Sequence, residues 1–289
     1  MTPMPASTPL SARVPGRVNL IGEWIDFNGG VVLPVALDRY VTIDILPNKT
    51  DKDLIRSAQF PDQEAFPVDA PAAGHWSDYV RGALQYARNA HWIAGGADVL
   101  VASDIPVGAG LSSSAATIVA TLRAASAGLS SVDPVSIAQA ARQIENEFIG
   151  VPCGIMDQMA VALGRPGAAL ALDTRDCSYH LVDVPSDWVF AVIASGTQRA
   201  LADGRYKERR EECLAAAQAL GVDLLCDADI SAVDRLPSNL AGRSRHVIGE
   251  GVRSRRAVEA LSQRDRPGFG RLMSESHASL RDHMEVSVP

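Results

Sequence analysis

Pro106-Val-Gly-Ala-Gly-Leu-Ser-Ser-Ser-Ala-Ala116 sits between two segments of contrasting pattern. Upstream, Ala97 to Ala102 is a mostly apolar run of strand length that leads into Asp104 and Ile105. Downstream, Ala115, Ile118, Val119 and Leu122 recur at helical spacing. The pattern predicts a strand, a glycine-rich turn and a helix in succession. Glycines let a backbone approach an anion closely, and a helix N-terminus offers unpaired N–H groups and a positive dipole. The serines add hydroxyls suited to phosphate or Mg²⁺. No Lys follows the glycines as in a Walker loop, and the spacing is not GxGxxG. Local physics leaves two readings, a phosphate cradle or a Gly/Ser turn whose serine caps the helix.

Working outward, residues 31–46 predict two strands, Val31 to Leu33 and then Val41, Ile43 and Ile45 alternating with Thr42 and Asp44. Residues 48–74 are charged, rich in Pro, Asp and Ala, and read as a loop-heavy excursion. Trp76 to Ala94 predicts a helix with Tyr79, Ala83 and Tyr86/Ala87 on one face. A second helix is expected over 134–148, with Pro134 in its first turn and Ile137, Ala141, Ile144 and Phe148 as its stripe. Ala168–Leu172 and Trp188–Ala194 are strand candidates. Tyr206 to Leu220 predicts a helix stopped by Gly221. Strands interleaved with helices make the chain α/β or α+β.

The chain has 289 residues, 47% of them hydrophobic and 21% charged, which is globular composition and predicts about two domains. The boundary is expected near 180–187, giving domains 1–184 and 185–289. Its longest apolar run, Trp188 to Ala194, falls far short of the ~20 residues of a membrane span. Met1 to Leu10 lacks the basic and apolar regions of a signal peptide. A net charge of −7 argues against a general nucleic-acid surface. Cys153, Cys177, Cys213 and Cys226 form no CxxC pair, so reduced thiols in a cytoplasmic protein are expected. The six histidines are scattered without HExxH spacing, and a protein metal cage is not expected.

Several further segments carry a resemblance. Pro15-Gly-Arg-Val-Asn-Leu-Ile-Gly-Glu-Trp-Ile-Asp-Phe-Asn-Gly-Gly-Val-Val-Leu-Pro34 resembles the galactokinase signature of the GHMP small-molecule kinases. The 106–116 loop resembles that family's second motif, and Val151-Pro-Cys-Gly-Ile-Met-Asp-Gln158 resembles its catalytic segment. His75-Trp-Ser-Asp-Tyr-Val-Arg-Gly82, Arg243-Ser-Arg-His-Val-Ile248 and the stretch from Glu275 to Val286 are similar to the family in the same order. The resemblance implies an α+β, two-domain GHMP fold whose first domain contains a left-handed βαβ crossover, an exception to the usual hand. It implies ATP-dependent phosphorylation of the anomeric hydroxyl of galactose, giving galactose 1-phosphate.

Site residues follow from the matched motifs. Asp157 matches the catalytic carboxylate, a group able to take the proton of an attacking hydroxyl. Arg17 matches the arginine beside the transferred phosphoryl, where a guanidinium suits spread charge. Glu23 and Asp26 match the sugar-hydroxyl acceptors; Gly154 and Tyr206 match further sugar contacts, although Tyr206 also fits the apolar stripe of its helix. Gly108, Gly110, Leu111, Ser112, Ser113, Ser114 and Ala115 match the phosphate loop. Ser113 and Glu145 match the Mg²⁺-linked pair, sufficient because Mg²⁺ takes few protein ligands beside phosphate and water. Trp76 resembles a nucleotide-side aromatic, with core packing as the other reading.

Two departures stand out. Galactokinases usually carry His-Thr where this chain has Trp24-Ile25, so Trp24 puts bulk where a polar partner would face the sugar. No GxGxGG-like run resembling the family's third motif occurs before the final Pro289. The second domain is therefore expected to be truncated, with the face of Ala257-Val258-Ala260-Leu261 partly uncovered. A missing segment supplied in cis or by another chain is expected to complete it. The partners implied are a sugar and Mg·ATP acting on a monomer, with no nucleic acid and no membrane. A kinase for a related aldose or an N-acetylhexosamine, and a non-catalytic sugar sensor, are the alternative functions.

Overall fold

The computed structural model describes residues 8–60, 64–129, 132–193 and 205–287. In chain order its strands are β1 (Leu10–Asn19), β2 (Val31–Val32), β3 (Pro34–Pro47), β4 (Lys52–Ser57), β5 (Glu64–Pro67), β6 (Ala97–Ser103), β7 (Ala168–Asp173) and β8 (Tyr179–Asp183). Its α-helices are α1 (Asp78–Asn89), α2 (Ser113–Ala125), α3 (Pro134–Gln143), α4 (Met156–Leu163), α5 (Arg205–Leu220), α6 (Ser238–Ser262) and α7 (Arg266–Ser279). Strands and helices mix as the α+β reading requires. No helix among the described residues is long and apolar enough to cross a membrane.

The chain forms two compact units that interleave in sequence rather than meeting at a single cut near 184. The first takes the described part of Met1–Arg17, then Leu37–Cys153 and Asp157–Leu163. The second takes Val18–Ala36, Gly154–Met156 and the described part of Gly164–Pro289. Main-chain hydrogen bonds explain the exchange. Leu20 and Leu33 are tied through Leu20 N–H to Leu33 C=O at 3.1 Å, and Thr174 N–H donates to Gly30 C=O at 3.1 Å. The first bond folds the 18–36 segment back on itself, and the second fastens it to Thr174 in the rest of the second unit.

In the first unit β3 and β6 run antiparallel in the register Val41↔Ser103 to Pro47↔Ala97. β6 continues parallel to β4, which pairs antiparallel with β5, and β1 pairs with β3. Val41, Ile43 and Ile45 are buried, as the alternation of β3 predicted. The 48–74 excursion is more ordered than its composition suggested. Lys52–Ser57 forms β4 because β6 offers a free edge, a condition that propensity within the segment cannot reveal. α1 packs on α2, and α2 on α3. α1 stops at Asn89 rather than Ala94, because His91 turns left-handed (φ 58°) and Trp92 N–H returns to Ala87 C=O. Asp133 caps α3, accepting from the N–H groups of Val135 and Ser136, with Pro134 in the first turn as expected. The predicted 134–148 helix widens into a π-helical turn over Ile144–Ile149, closed by Gly150 at φ 80°.

In the second unit β2 and β8 both pair antiparallel with β7, and Val35 of β3 opposes Ala169. α6 packs on α5 and α7. Leu20, Ile21, Leu33, Ala169, Ala171 and Val182 share one core with Ala257, Ala260, Leu261 and Phe269. Of the face expected to be partly uncovered, Ala257, Ala260 and Leu261 are therefore buried in this unit's own core, and Val258 is half-buried against it. Trp188–Ile193 forms no strand, and Ala194 lies outside the described residues. Its alternation still sorts the side chains. Trp188 and Phe190 pack edge-on to Phe269 at 5.7 and 5.8 Å, while Val189 is 90% exposed. A period of two fixes which side faces inward, but a strand also needs a ladder partner. Gly221 ends α5 as predicted, at φ 71°, with Val222 N–H returning to Ala217 C=O.

Candidate active site

The first unit gathers a cluster around the glycine-rich loop. β6 ends at Ser103, and α2 begins at Ser113. The intervening backbone turns through left-handed conformations at Gly108 (φ 71°), Gly110 (φ 71°) and Ser112 (φ 58°). Glycine is needed at the first two because a side chain there would be strained. Residues 106–110 are exposed, and Ser112 makes no side-chain cap to the helix it precedes. The first turn of α2, carrying Ser113, Ser114 and Ala115, thus keeps the uncapped N–H groups that suit an anion.

The uncapping hydroxyl has another use. Ser112 Oγ donates to Asp157 Oδ2 at 2.6 Å. Arg17 donates to Asp157 Oδ1 from Nε at 2.8 Å and Nη2 at 2.6 Å, and to Gly110 C=O from Nη1 at 2.9 Å. Arg17 N–H also donates to Leu111 C=O at 3.2 Å. Arginine, carboxylate and loop are therefore one hydrogen-bonded group, although Arg17 and Asp157 stand 140 residues apart. Asp157 keeps 34% of its side chain exposed, so the carboxylate is held yet reachable.

Glu145 lies in the π-helical turn and is almost fully buried. Its Oε2 accepts from the Gln158 amide and, at 3.5 Å, from the Cys153 thiol. Burial first, and the nearby Asp157 charge second, push its pKa up to about 7. Burial also pushes the Cys153 thiol up, so this cysteine is an inert donor rather than a nucleophile. Gln158 and Cys153 were not singled out from the sequence. Gln158 follows Asp157 directly, so its helix carries it into the same cluster; nothing in composition marked it.

Among the described residues no group of three or more His, Cys, Asp or Glu is placed to hold a metal. The donor set does fit Mg²⁺, which favours one or two carboxylates with phosphate oxygens and water. A buried carboxylate whose charge is disfavoured by a second carboxylate gains most from a cation. Trp76, at the other end of this unit's sequence motifs, stacks on Phe60 with centroids 5.1 Å apart.

The second unit holds the remaining predicted residues. Glu23 Oε1 accepts from Asn19 Nδ2 at 2.9 Å. Asn19 is a further residue that the sequence reading passed over, four positions before Glu23 in the same signature. Gly154 packs so tightly on Asp26 that a Cβ there would overlap the carboxylate and stand 3.0 Å from the Asp26 carbonyl carbon. Trp24 adopts φ 66°, unusual for a bulky side chain, and Asn28 Nδ2 holds its carbonyl at 2.8 Å. The Trp24 ring tilts against Tyr206 at 5.0 Å, and both rings meet Phe27 edge-on at 6.3 Å. Tyr206 thus faces Trp24 rather than serving only the stripe of α5. Ile25 beside it is fully buried.

Residues 78–165 match the family model of the GHMP kinases N terminal domain, and residues 5–45 match the galactokinase galactose-binding signature. A curated galactokinase of Roseiflexus sp. (strain RS-1) is 41% identical over 96% of this chain and 74% of its own length. The chain belongs to the galactokinase family of GHMP kinases. It is accordingly a kinase, a transferase, with the family's fold. The crystal structure of Lactococcus lactis galactokinase complexed with galactose aligns at a TM-score of 0.85 and 29% identity, over 96% of this chain and 76% of the other. Mevalonate kinase of Methanococcus jannaschii aligns at 0.62 and 17% identity, over 99% and 82%, a likeness of fold alone. The chain thus spans about three quarters of the galactokinases it matches.

Proposed function

We propose that this kinase transfers the γ-phosphoryl group of ATP to the anomeric hydroxyl of galactose, giving galactose 1-phosphate. The observation that carries the reading is the Arg17–Asp157–Ser112 group fastened to the glycine-rich loop. In this assignment Glu23, Asp26 and the Gly154 backbone take the sugar hydroxyls, with Trp24 and Tyr206 as an aromatic wall. Gly108 to Ala115 take the nucleotide phosphates, and Trp76 lies on the nucleotide side. Ser113 and Glu145 would hold Mg²⁺. When bound, Mg²⁺ supplies charge neutralisation at the phosphate oxygens.

An ionised carboxylate offers about four lone-pair positions. Arg17 occupies two on Oδ1, and Ser112 occupies one on Oδ2. The remaining position on Oδ2 is available to accept the proton of the sugar hydroxyl as its oxygen attacks phosphorus. Protonation cancels the Asp157 charge and loosens its pull on the Arg17 guanidinium. That positive charge then serves the equatorial oxygens of the phosphoryl group in flight. Acid–base and electrostatic roles are thus coupled in one ion pair.

Asp157→Asn tests this reading, because the amide keeps the shape but is a poor base. Turnover should fall at least about 100-fold, while calorimetry finds galactose binding within threefold of the unaltered chain. Near-normal turnover would remove Asp157 as the base and leave Arg17 and Mg²⁺ as the main catalysts.

A further inference from the structure

The Arg243–Ile248 and Glu275–Val286 segments resemble the family in sequence but received no role above. Both supply buried polar side chains to the second unit. His246 and Glu250 of α6 are fully buried, and Ser276 and Ser279 of α7 are nearly so. A buried carboxylate and imidazole between two packed helices are costly unless fully bonded, and apolar residues would fill the space more simply.

Their bonds run in one direction. Ser276 Oγ donates to Glu250 Oε1 at 2.6 Å, and Gly22 N–H donates to the same oxygen at 3.0 Å. Arg253 Nε donates to Oε2 at 2.8 Å. His246 Nε2 lies 3.0 Å from the Glu23 carbonyl oxygen, and Nδ1 lies 2.9 Å from Ser279 Oγ. A carbonyl can only accept, so Nε2 carries the proton and neutral Nδ1 accepts from Ser279. Burial keeps the imidazole in that neutral form by pushing its pKa down to about 4.

His246 and Glu250 are four residues apart, so they project from one stripe of α6. One grips the N–H of Gly22 and the other the C=O of Glu23. The peptide segment carrying Glu23 is thereby fixed at both ends, while Asn19 orients the carboxylate itself. We propose that His246 and Glu250, braced by Ser279 and Ser276, are positioning residues for Glu23 in sugar recognition. This rests on the reading that Glu23 accepts a hydroxyl of galactose.

The test uses the full chain, with galactose and a non-hydrolysable ATP analogue titrated by calorimetry and a thermal melt for each variant. His246→Leu should raise the galactose Kd about tenfold, since it removes the imidazole N–H that holds the Glu23 carbonyl. The analogue Kd should stay within twofold. His246→Gln places an amide N–H near the position of Nε2 and should recover galactose binding to within threefold. Ser279→Ala removes only the brace and should weaken galactose about threefold. Wild-type galactose affinity in folded His246→Leu would overturn the proposal, as would parallel loss of galactose and nucleotide. If His246→Leu does not fold, wild-type affinity in Ser279→Ala overturns it. Glu23→Gln separates the two levels. Unchanged galactose affinity there removes the sugar role of Glu23 and this proposal with it. Weakened affinity there with unaltered His246→Leu and Ser279→Ala removes the positioning role alone.

Discussion

Gly154→Ala should damage galactose binding far more than it damages the fold. Gly154 is not in a left-handed conformation, so alanine is compatible with its backbone. The added methyl would overlap the Asp26 carboxylate and approach the Asp26 carbonyl carbon to 3.0 Å. The movable obstacle is the end of a side chain, so the chain relieves the clash by swinging that carboxylate aside. We expect no more than about 1 kcal/mol of lost stability, or roughly 2–4 °C in Tm. The swung carboxylate is the proposed acceptor of a sugar hydroxyl, and a hydrogen bond to a charged group contributes about 1.5–3 kcal/mol. At about 1.4 kcal/mol per factor of ten, the galactose Kd should rise about 10- to 150-fold. Calorimetric titration measures it, with Asp26→Ala as the second arm of a double-mutant cycle. In the Asp26→Ala background the extra methyl has no carboxylate to displace, and its further effect should be under threefold. A galactose Kd within twofold in Gly154→Ala, or an equal penalty in both backgrounds, would refute the steric route through Asp26.

Arg17→Lys should lower kcat about 100-fold in single-turnover phosphoryl transfer, because one ammonium cannot hold Asp157 and Gly110 together as three guanidinium nitrogens do. Galactose affinity should stay within threefold, and a similar loss of both would contradict the split of roles. Trp24→His replaces the ring tilted against Tyr206 with a polar partner. Selectivity for galactose over arabinose, read as the ratio of kcat/KM values, should rise at least about tenfold, since hydrogen-bonding sites discriminate more sharply than apolar walls. An unchanged ratio would place Trp24 away from the exocyclic group. Burial lowers the pKa of His246 from the ordinary histidine value of 6.5 to about 4 on folding, so between those values the unfolded chain binds the proton more readily. Stability should be fully present above about pH 6.5 and fall as pH drops toward 4, by up to ~1.4 kcal/mol per unit. His246→Gln should flatten that part of a Tm-against-pH curve, and an unaltered slope would assign the acid loss to other groups.

What the sequence determined by itself is whatever short spans decide. The turn at 106–116, the helix after it, Pro134 in the first turn of α3 and the stop at Gly221 all depend on residues within a few positions of one another. Steric limits and local hydrogen bonds act at that range, so pattern alone suffices. The buried alternation of Val41, Ile43 and Ile45 was legible for the same reason. The motif resemblance added the identity of Asp157, Arg17, Glu23 and Asp26 as candidates, but not what they touch.

Tertiary structure alone decided everything that needs a distant partner. β4 within 48–74 exists because β6 pairs with it, and Trp188–Ile193 is left without a ladder although its pattern is equally strand-like. The face of Ala257 and Leu261 found its cover in Leu20, Leu33 and Ala171, residues far away in sequence. Asp157 meets Arg17 across 140 positions, and Glu250 meets Gly22 across 228. Burial and charge depend on who arrives from elsewhere in the chain. Glu145 has its raised pKa because Asp157 and the apolar interior close around it, and no spacing within 134–148 encodes that.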